Sequence, residues 1–124
     1  MTIRDHRDPR VWQTAIELGV QCYHLSSTFP REERYGLTAR LRSAEVSVAA
    51  NIAKGNGRLT RGEYLNQLSA ARASLREVDT DLEFAYRLDF APPRAIADVR
   101  HGLDVEGALL TRLIESLRRT GNRR

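Results

Sequence analysis

The chain is short of the residues that lock small folds covalently or build sheets. It has one cysteine, Cys22, so no internal disulfide can form and a reducing cytoplasm is the natural compartment. Aromatic residues make up 6% of the sequence. Leu, Ala and Val supply most of the apolar content instead, which suits helices better than sheets. No apolar run approaches the roughly 20 residues that cross a bilayer. The opening MTIRDHRDPR is charged and offers nothing to serve as a signal peptide. No linker or internal repeat divides the chain, so residues 1–124 read as one domain with a single core.

Lysine is almost missing too. Nineteen of the 20 basic residues are arginine, Lys54 being the exception. Arginine bonds phosphate and carboxylate in bidentate fashion, although a G+C-rich genome produces the same bias without functional meaning. The net charge of +4 comes from the end of the chain, where RRTGNRR holds four arginines and no acid. Within the neutral remainder the charge is segregated. Residues 31–76 hold nine basic and four acidic side chains, and residues 77–117 hold four basic and nine acidic. Such a pattern suits a polyanion surface, complementary self-assembly, or solvated helix faces that vary by chance.

Apolar periodicity predicts four helices. The first spans about residues 9–28, with Asp8 as N-cap and Pro9 at the first helical position. Its stripe is Val11, Ala15, Leu18, Cys22, Leu25 and Phe29, widened by Trp12, Ile16, Gly19 and Tyr23. The second spans about 32–54, with Leu37, Leu41, Ala44, Val48 and Ile52 inward and Gly55 and Gly57 as its stop. The third spans about 61–89 behind a Thr60/Glu63 capping box, with Tyr64, Leu68, Ala71, Leu75, Val78, Leu82 and Ala85 as its stripe. The fourth spans about 93–119 on Ile96, Val99, Leu103, Glu106, Leu110, Leu113 and Leu117, and a basic tail over 118–124 is expected to fray. Short connections make consecutive helices antiparallel, giving an all-α, up-down-up-down four-helix bundle.

Several short motifs occur in a defined order. They are Val11-Trp12-Gln13, Phe29-Pro30, Tyr35-Gly36-Leu37, Arg40-Leu41-Arg42-Ser43-Ala44, Ser47-Val48-Ala49-Ala50-Asn51-Ile52-Ala53-Lys54-Gly55, Gly57-Arg58, Glu63-Tyr64 and Ala73-Ser74-Leu75-Arg76-Glu77. In these the chain resembles the four helix bundle proteins encoded within intervening sequences of bacterial 23S ribosomal RNA genes. The resemblance covers roughly residues 10–90. It implies a ring-shaped homopentamer of four-helix protomers and no established biochemical activity. A related group, the accessory proteins of diversity-generating retroelements, partners a reverse transcriptase and binds nucleic acid. Ala49, Lys54, Glu45 and Ser43 depart from the family pattern, standing where proline, glutamate, alanine and arginine are usual.

Catalytic chemistry finds little footing. His6, His24 and His101 are scattered, and no Glu-x-x-His pair marks a carboxylate-bridged metal bundle. Cys22 lies on the first apolar stripe and reads as a buried thiol. Ser47, Ser74 and Glu77 form no nucleophile constellation with a histidine. Asn51 reads as a cap near Gly55 or a partner for Glu63. Glu106, on the fourth stripe, reads as an arginine partner at a subunit boundary or as a bundle-edge residue. No enzyme, metal or cofactor is expected. The leading expectation is nonspecific nucleic-acid binding, RNA before DNA, through Arg40, Arg42, Lys54, Arg58, Arg61, Arg72 and Arg76. A scaffold or adaptor for a neighbouring enzyme such as a reverse transcriptase is the alternative.

Overall fold

A computed structural model describes residues 8–121. Among them are α1 (Pro9–Ser26), α2 (Leu37–Asn56), α3 (Arg61–Arg87) and α4 (Pro93–Gly121), with a single 3-10 turn at Arg31–Glu33 and no strand. The chain is therefore all-α, as expected. Each helix packs on the next, and α1 closes against α4. Side-chain contacts set the directions. Arg42, early in α2, bonds Ser26 at the end of α1. Ser47 faces Ser74 across α2 and α3, and Arg100 of α4 meets Glu83 of α3. Neighbours therefore run antiparallel.

Local chemistry explains the helix ends. Asp8 accepts a hydrogen bond from the Arg10 amide at 2.9 Å ahead of Pro9, capping α1. The helix stops at Ser26, two residues earlier than its apolar pattern suggests. There the hydroxyls of Ser26, Ser27 and Thr28 donate to the carbonyls of Tyr23, His24 and Leu25 and take up acceptors left free at a helix C-terminus. Residues 32–36 do not join α2. A carboxylate oxygen of Glu33 accepts from the Leu37 amide at 3.0 Å and caps the helix from outside. A Cβ on Gly36 would lie 2.7 Å from that oxygen. Only the Thr60 half of the capping box forms, its hydroxyl accepting from the Glu63 amide at 3.2 Å. After α3, Asp89 takes the left-handed conformation (φ 58°). The Phe90 and Asp89 amides return to the carbonyls of Ala85 and Tyr86, a Schellman closure. Phe90 then packs on Phe29, ring centres 5.8 Å apart.

Gly55 is not the stop the sequence suggested. The α2 helix continues to Asn56 and ends at Gly57, which has an ordinary φ of −88°. Gly55 is instead where side chains of α3 press against α2, since a Cβ there would lie 2.9 Å from Tyr64 Cδ1 and 3.2 Å from Gln67 Cβ. The missing side chain leaves room for the Tyr64 ring against the α2 backbone. Asn51 also differs from expectation. Its amide donates back to the Ser47 carbonyl and hydroxyl, and the Ser47 hydroxyl lies 2.9 Å from that of Ser74.

The core follows the four stripes, from Val11 and Leu18 through Leu41, Leu68 and Leu82 to Leu110 and Leu117. Two findings depart from the pattern. Trp12, Ile16 and Tyr23 do not widen the core, because all three are exposed on the outer side of α1. Glu106 is neither a bundle-edge residue nor an arginine partner within the chain. It is fully buried, and neither of its carboxyl oxygens has a hydrogen-bond partner.

Candidate nucleic-acid interface

Antiparallel packing decides which basic side chains meet. The α2–α3 connection, residues 57–60, closes one end of the bundle. Lys54 and Arg58 are exposed there, and Arg61 is half-buried at the start of α3. On α4, Arg100 lies opposite Glu83 and Gly107 beside Leu75. The same offset carries the last turn of α4 to the level of Arg61, bringing Arg118 and Arg119, both exposed, to this end. The start of α1 adds Arg10, although its guanidinium is held by Asp8 at 2.7 Å. Among the described residues, Lys54, Arg58, Arg61, Arg118 and Arg119 make no ion pair. The acids Glu63 and Glu115 are nearby in sequence and exposed, but neither forms an ion pair with the group. Lys54, Arg118 and Arg119 also sit in last helical turns, where the backbone dipole favours cations.

The other expected residues lie elsewhere. Arg72 and Arg76 line a shallow hollow of about 260 Å³ between α3 and α4, with Asp79 and Asp104 in the same wall. Arg76 is fifteen residues beyond Arg61, about 22 Å along a helix axis. Arg40 stands 3.8 Å from Asp81. Arg42 is committed to the α1–α2 seam: its Nε donates to the Ser26 hydroxyl at 2.8 Å, and its guanidinium lies 4.6 Å from the centre of the Tyr23 ring. The seven residues thus divide into an end cluster (Lys54, Arg58, Arg61), a groove pair beside acids (Arg72, Arg76) and two internally engaged arginines (Arg40, Arg42). The sequence reading missed Arg118 and Arg119 as members of the end cluster. Their charge was visible, but their position depends on the length and offset of α4, which continues through Gly121 instead of fraying at 118. Asn122–Arg124 and His6 lie outside the described residues.

The ionisable groups of the interior do not form a metal centre. Among the described residues no three His, Cys, Asp or Glu side chains converge on a point that would hold an ion. Burial pushes Cys22 up to about 12, with the Glu45 carboxyl adding to the shift, so the thiol stays protonated and unreactive near neutral pH. Burial likewise raises Glu45 to about 8, and the nearby Glu106 adds to it. Glu106 is raised to about 8 by burial and then by Asp8. Both carboxyls are therefore largely neutral at pH 7, as unpartnered buried acids must be.

The family described as 23S rRNA-intervening sequence protein matches residues 7–112. The chain belongs to that family. Among solved structures, it is similar to a protein of unknown function from the S23 ribosomal protein family of Bacteroides thetaiotaomicron VPI-5482. Identity is 18% and the TM-score 0.78, over 84% of this chain and 97% of that one. At that identity the likeness establishes a common fold. No curated protein matches the chain. No helix among the described residues is long and apolar enough to cross a membrane.

Proposed function

We propose that this 23S rRNA-intervening sequence protein is a non-enzymatic cytoplasmic protein that binds nucleic acid, RNA in preference to DNA, without reading its sequence. The supporting observation is the basic end, where Lys54, Arg58, Arg61, Arg118 and Arg119 converge without an ion pair among the described residues. Unpaired basic side chains at one end of the bundle suit phosphate contacts, which hold a backbone and carry no base information. We further propose that copies assemble, in the ring-shaped homopentamer that the family resemblance suggests. Each added copy would repeat the basic end and multiply a modest local charge into a strong field.

Binding of a labelled single-stranded RNA at 50 and 200 mM salt tests the reading. Affinity is expected to fall on the order of a hundredfold between the two, as counterion release by several phosphate contacts requires. The triple substitution Lys54→Glu, Arg58→Glu and Arg61→Glu abolishes binding while helicity is retained. Absent binding at 50 mM salt, or binding indifferent to salt, would eliminate the proposal. A co-purifying protein insensitive to ribonuclease would support an adaptor role instead.

A further inference from the structure

A polar hollow of about 480 Å³ lies between α2 and α3. Its charged lining is one arginine, Arg40, and two acids, Glu77 and Asp81. Arg40 stands opposite Asp81 and Ser47 opposite Ser74. In each helix seven residues separate the charged side chain from the serine, so the hollow runs about 10 Å along the two axes. Ala44 lines its middle, and Glu77 stands there on the α3 side.

Several of these groups have bonding capacity to spare. Asp81 is only 3% exposed, yet its one ion-pair partner, Arg40, is 3.8 Å away, long for a hydrogen bond. Burial raises the Asp81 pKa, and Arg40 offsets only part of that rise. The Arg40 side chain is exposed and reaches Asp81 only at that distance, so its donors stay available. The Ser47 and Ser74 hydroxyls are 2.9 Å apart, and Asn51 donates to the first. Their lone pairs outnumber the donors they meet, so acceptors remain. Glu77 is exposed and forms no ion pair among the described residues.

This arrangement of charge selects the occupant. A phosphate would face two carboxylates, and a simple amine would face the Arg40 guanidinium, so a ligand of a single sign is repelled by part of the wall. An α-amino acid meets neither objection, since its carboxylate and ammonium lie side by side, as Arg40 and Asp81 do. Glu77 leaves the lining with one negative charge in excess, which a second cation on the ligand would balance. The length of the hollow suits a long side chain, and its volume is ordinary for a small-molecule site.

We propose that the hollow binds a free α-amino acid with a long basic side chain. Its carboxylate lies on Arg40 and its α-ammonium on Asp81. The aliphatic stem crosses Ala44, and the terminal cation sits between Glu77 and the Ser47–Ser74 pair. This site is independent of the nucleic-acid reading, which rests on the basic end of the bundle.

Isothermal titration calorimetry of the full chain with L-lysine tests the proposal. Three analogues each remove one contact. Cadaverine lacks the carboxylate, Nα-acetyl-L-lysine lacks the α-ammonium, and L-norleucine lacks the terminal cation. Each is expected to bind at least about tenfold more weakly than L-lysine, because it leaves a charged group of the site unmatched. Arg40→Gln should weaken L-lysine binding by a similar factor and erase the preference over cadaverine. Asp81→Asn should erase the preference over Nα-acetyl-L-lysine. Arg40 is exposed, so its variant carries the test alone if substitution of the buried Asp81 prevents folding. No binding of L-lysine at millimolar concentration overturns the proposal. So does any of the three analogues binding as tightly as L-lysine, or an Arg40→Gln variant that still prefers L-lysine to cadaverine.

Discussion

The α2–α3 seam and the interior behind α1 bury polar groups in opposite ways. Along the seam several polar side chains have partners. Asn51 holds Ser47, Ser47 meets Ser74, the Tyr64 hydroxyl donates to Asn56 at 3.2 Å, and Arg40 stands by Asp81. Behind α1, Glu45 and Glu106 are fully buried, yet none of their four carboxyl oxygens is bonded. The seam uses polarity to fix how two helices lie against each other, since any sliding would strand buried donors. The interior behind α1 tolerates polarity by keeping it protonated. One region is specified by its polar groups, whereas the other is held by the apolar packing around them.

Raising the pH should expose this difference most strongly. In the unfolded chain both glutamates ionise near 4.5, but in the folded chain they ionise at about 8. Below pH 4.5 both states are protonated and the stability is intact. Between 4.5 and 8 the unfolded chain sheds protons that the folded chain keeps, so stability declines, and above about 8 the loss is complete. The expected fall is on the order of several kcal/mol, measured by denaturant unfolding at pH 5, 7 and 9. Replacing Glu45 and Glu106 by Met should flatten that dependence and stabilise the protein by roughly 1–4 kcal/mol at pH 9. A flat profile in the unmodified protein would show that the pair is solvated and erase the contrast. Asp8, lowered chiefly by its hydrogen bond with Arg10, works in the other direction and loses its contribution only in acid.

The next effect lies on the seam. Gly55→Val inserts side-chain atoms where even a Cβ would be 2.9 Å from Tyr64. It should cost roughly 2–3 kcal/mol through overpacking, read from the denaturation midpoint. A cost under about 0.5 kcal/mol, the size of an ordinary surface change, would mean that the two helices part easily. The smallest effect sharpens the comparison. Ser47→Ala strands the Ser74 hydroxyl, while Asn51 keeps its bond to the Ser47 carbonyl, and should cost about 1 kcal/mol, whereas Ser47→Ala with Ser74→Ala should cost less than the sum of the two single changes. Additive losses would show that the hydroxyls act independently.

Much of the fold was legible because helix periodicity is local. The inward stripes of α1, α2, α3 and α4 and the caps at Asp8 and Thr60 follow from spacing and short-range chemistry. The start of α2 was misread because Glu33 caps it from a 3-10 turn, a geometry without the usual Ser, Thr or Asp signature at the cap. The candidate site was half legible. Lys54, Arg58 and Arg61 are close in sequence and share one turn, so their clustering needs little more than an antiparallel pair. Arg40 and Arg42 look equivalent to them in composition, yet each is engaged by another helix.

What the sequence determined alone is the number of helices, the faces they bury and the absence of strand or disulfide alternatives, because those depend on residue type and spacing within single segments. The tertiary structure decided the rest: that Trp12 and Tyr23 face outward, that Glu106 lies in the core, and that Arg118 lies at the same end of the bundle as Arg58. Each of these depends on how far one helix slides and rotates against another. That offset is set by the summed packing of distant side chains, a quantity no local window contains.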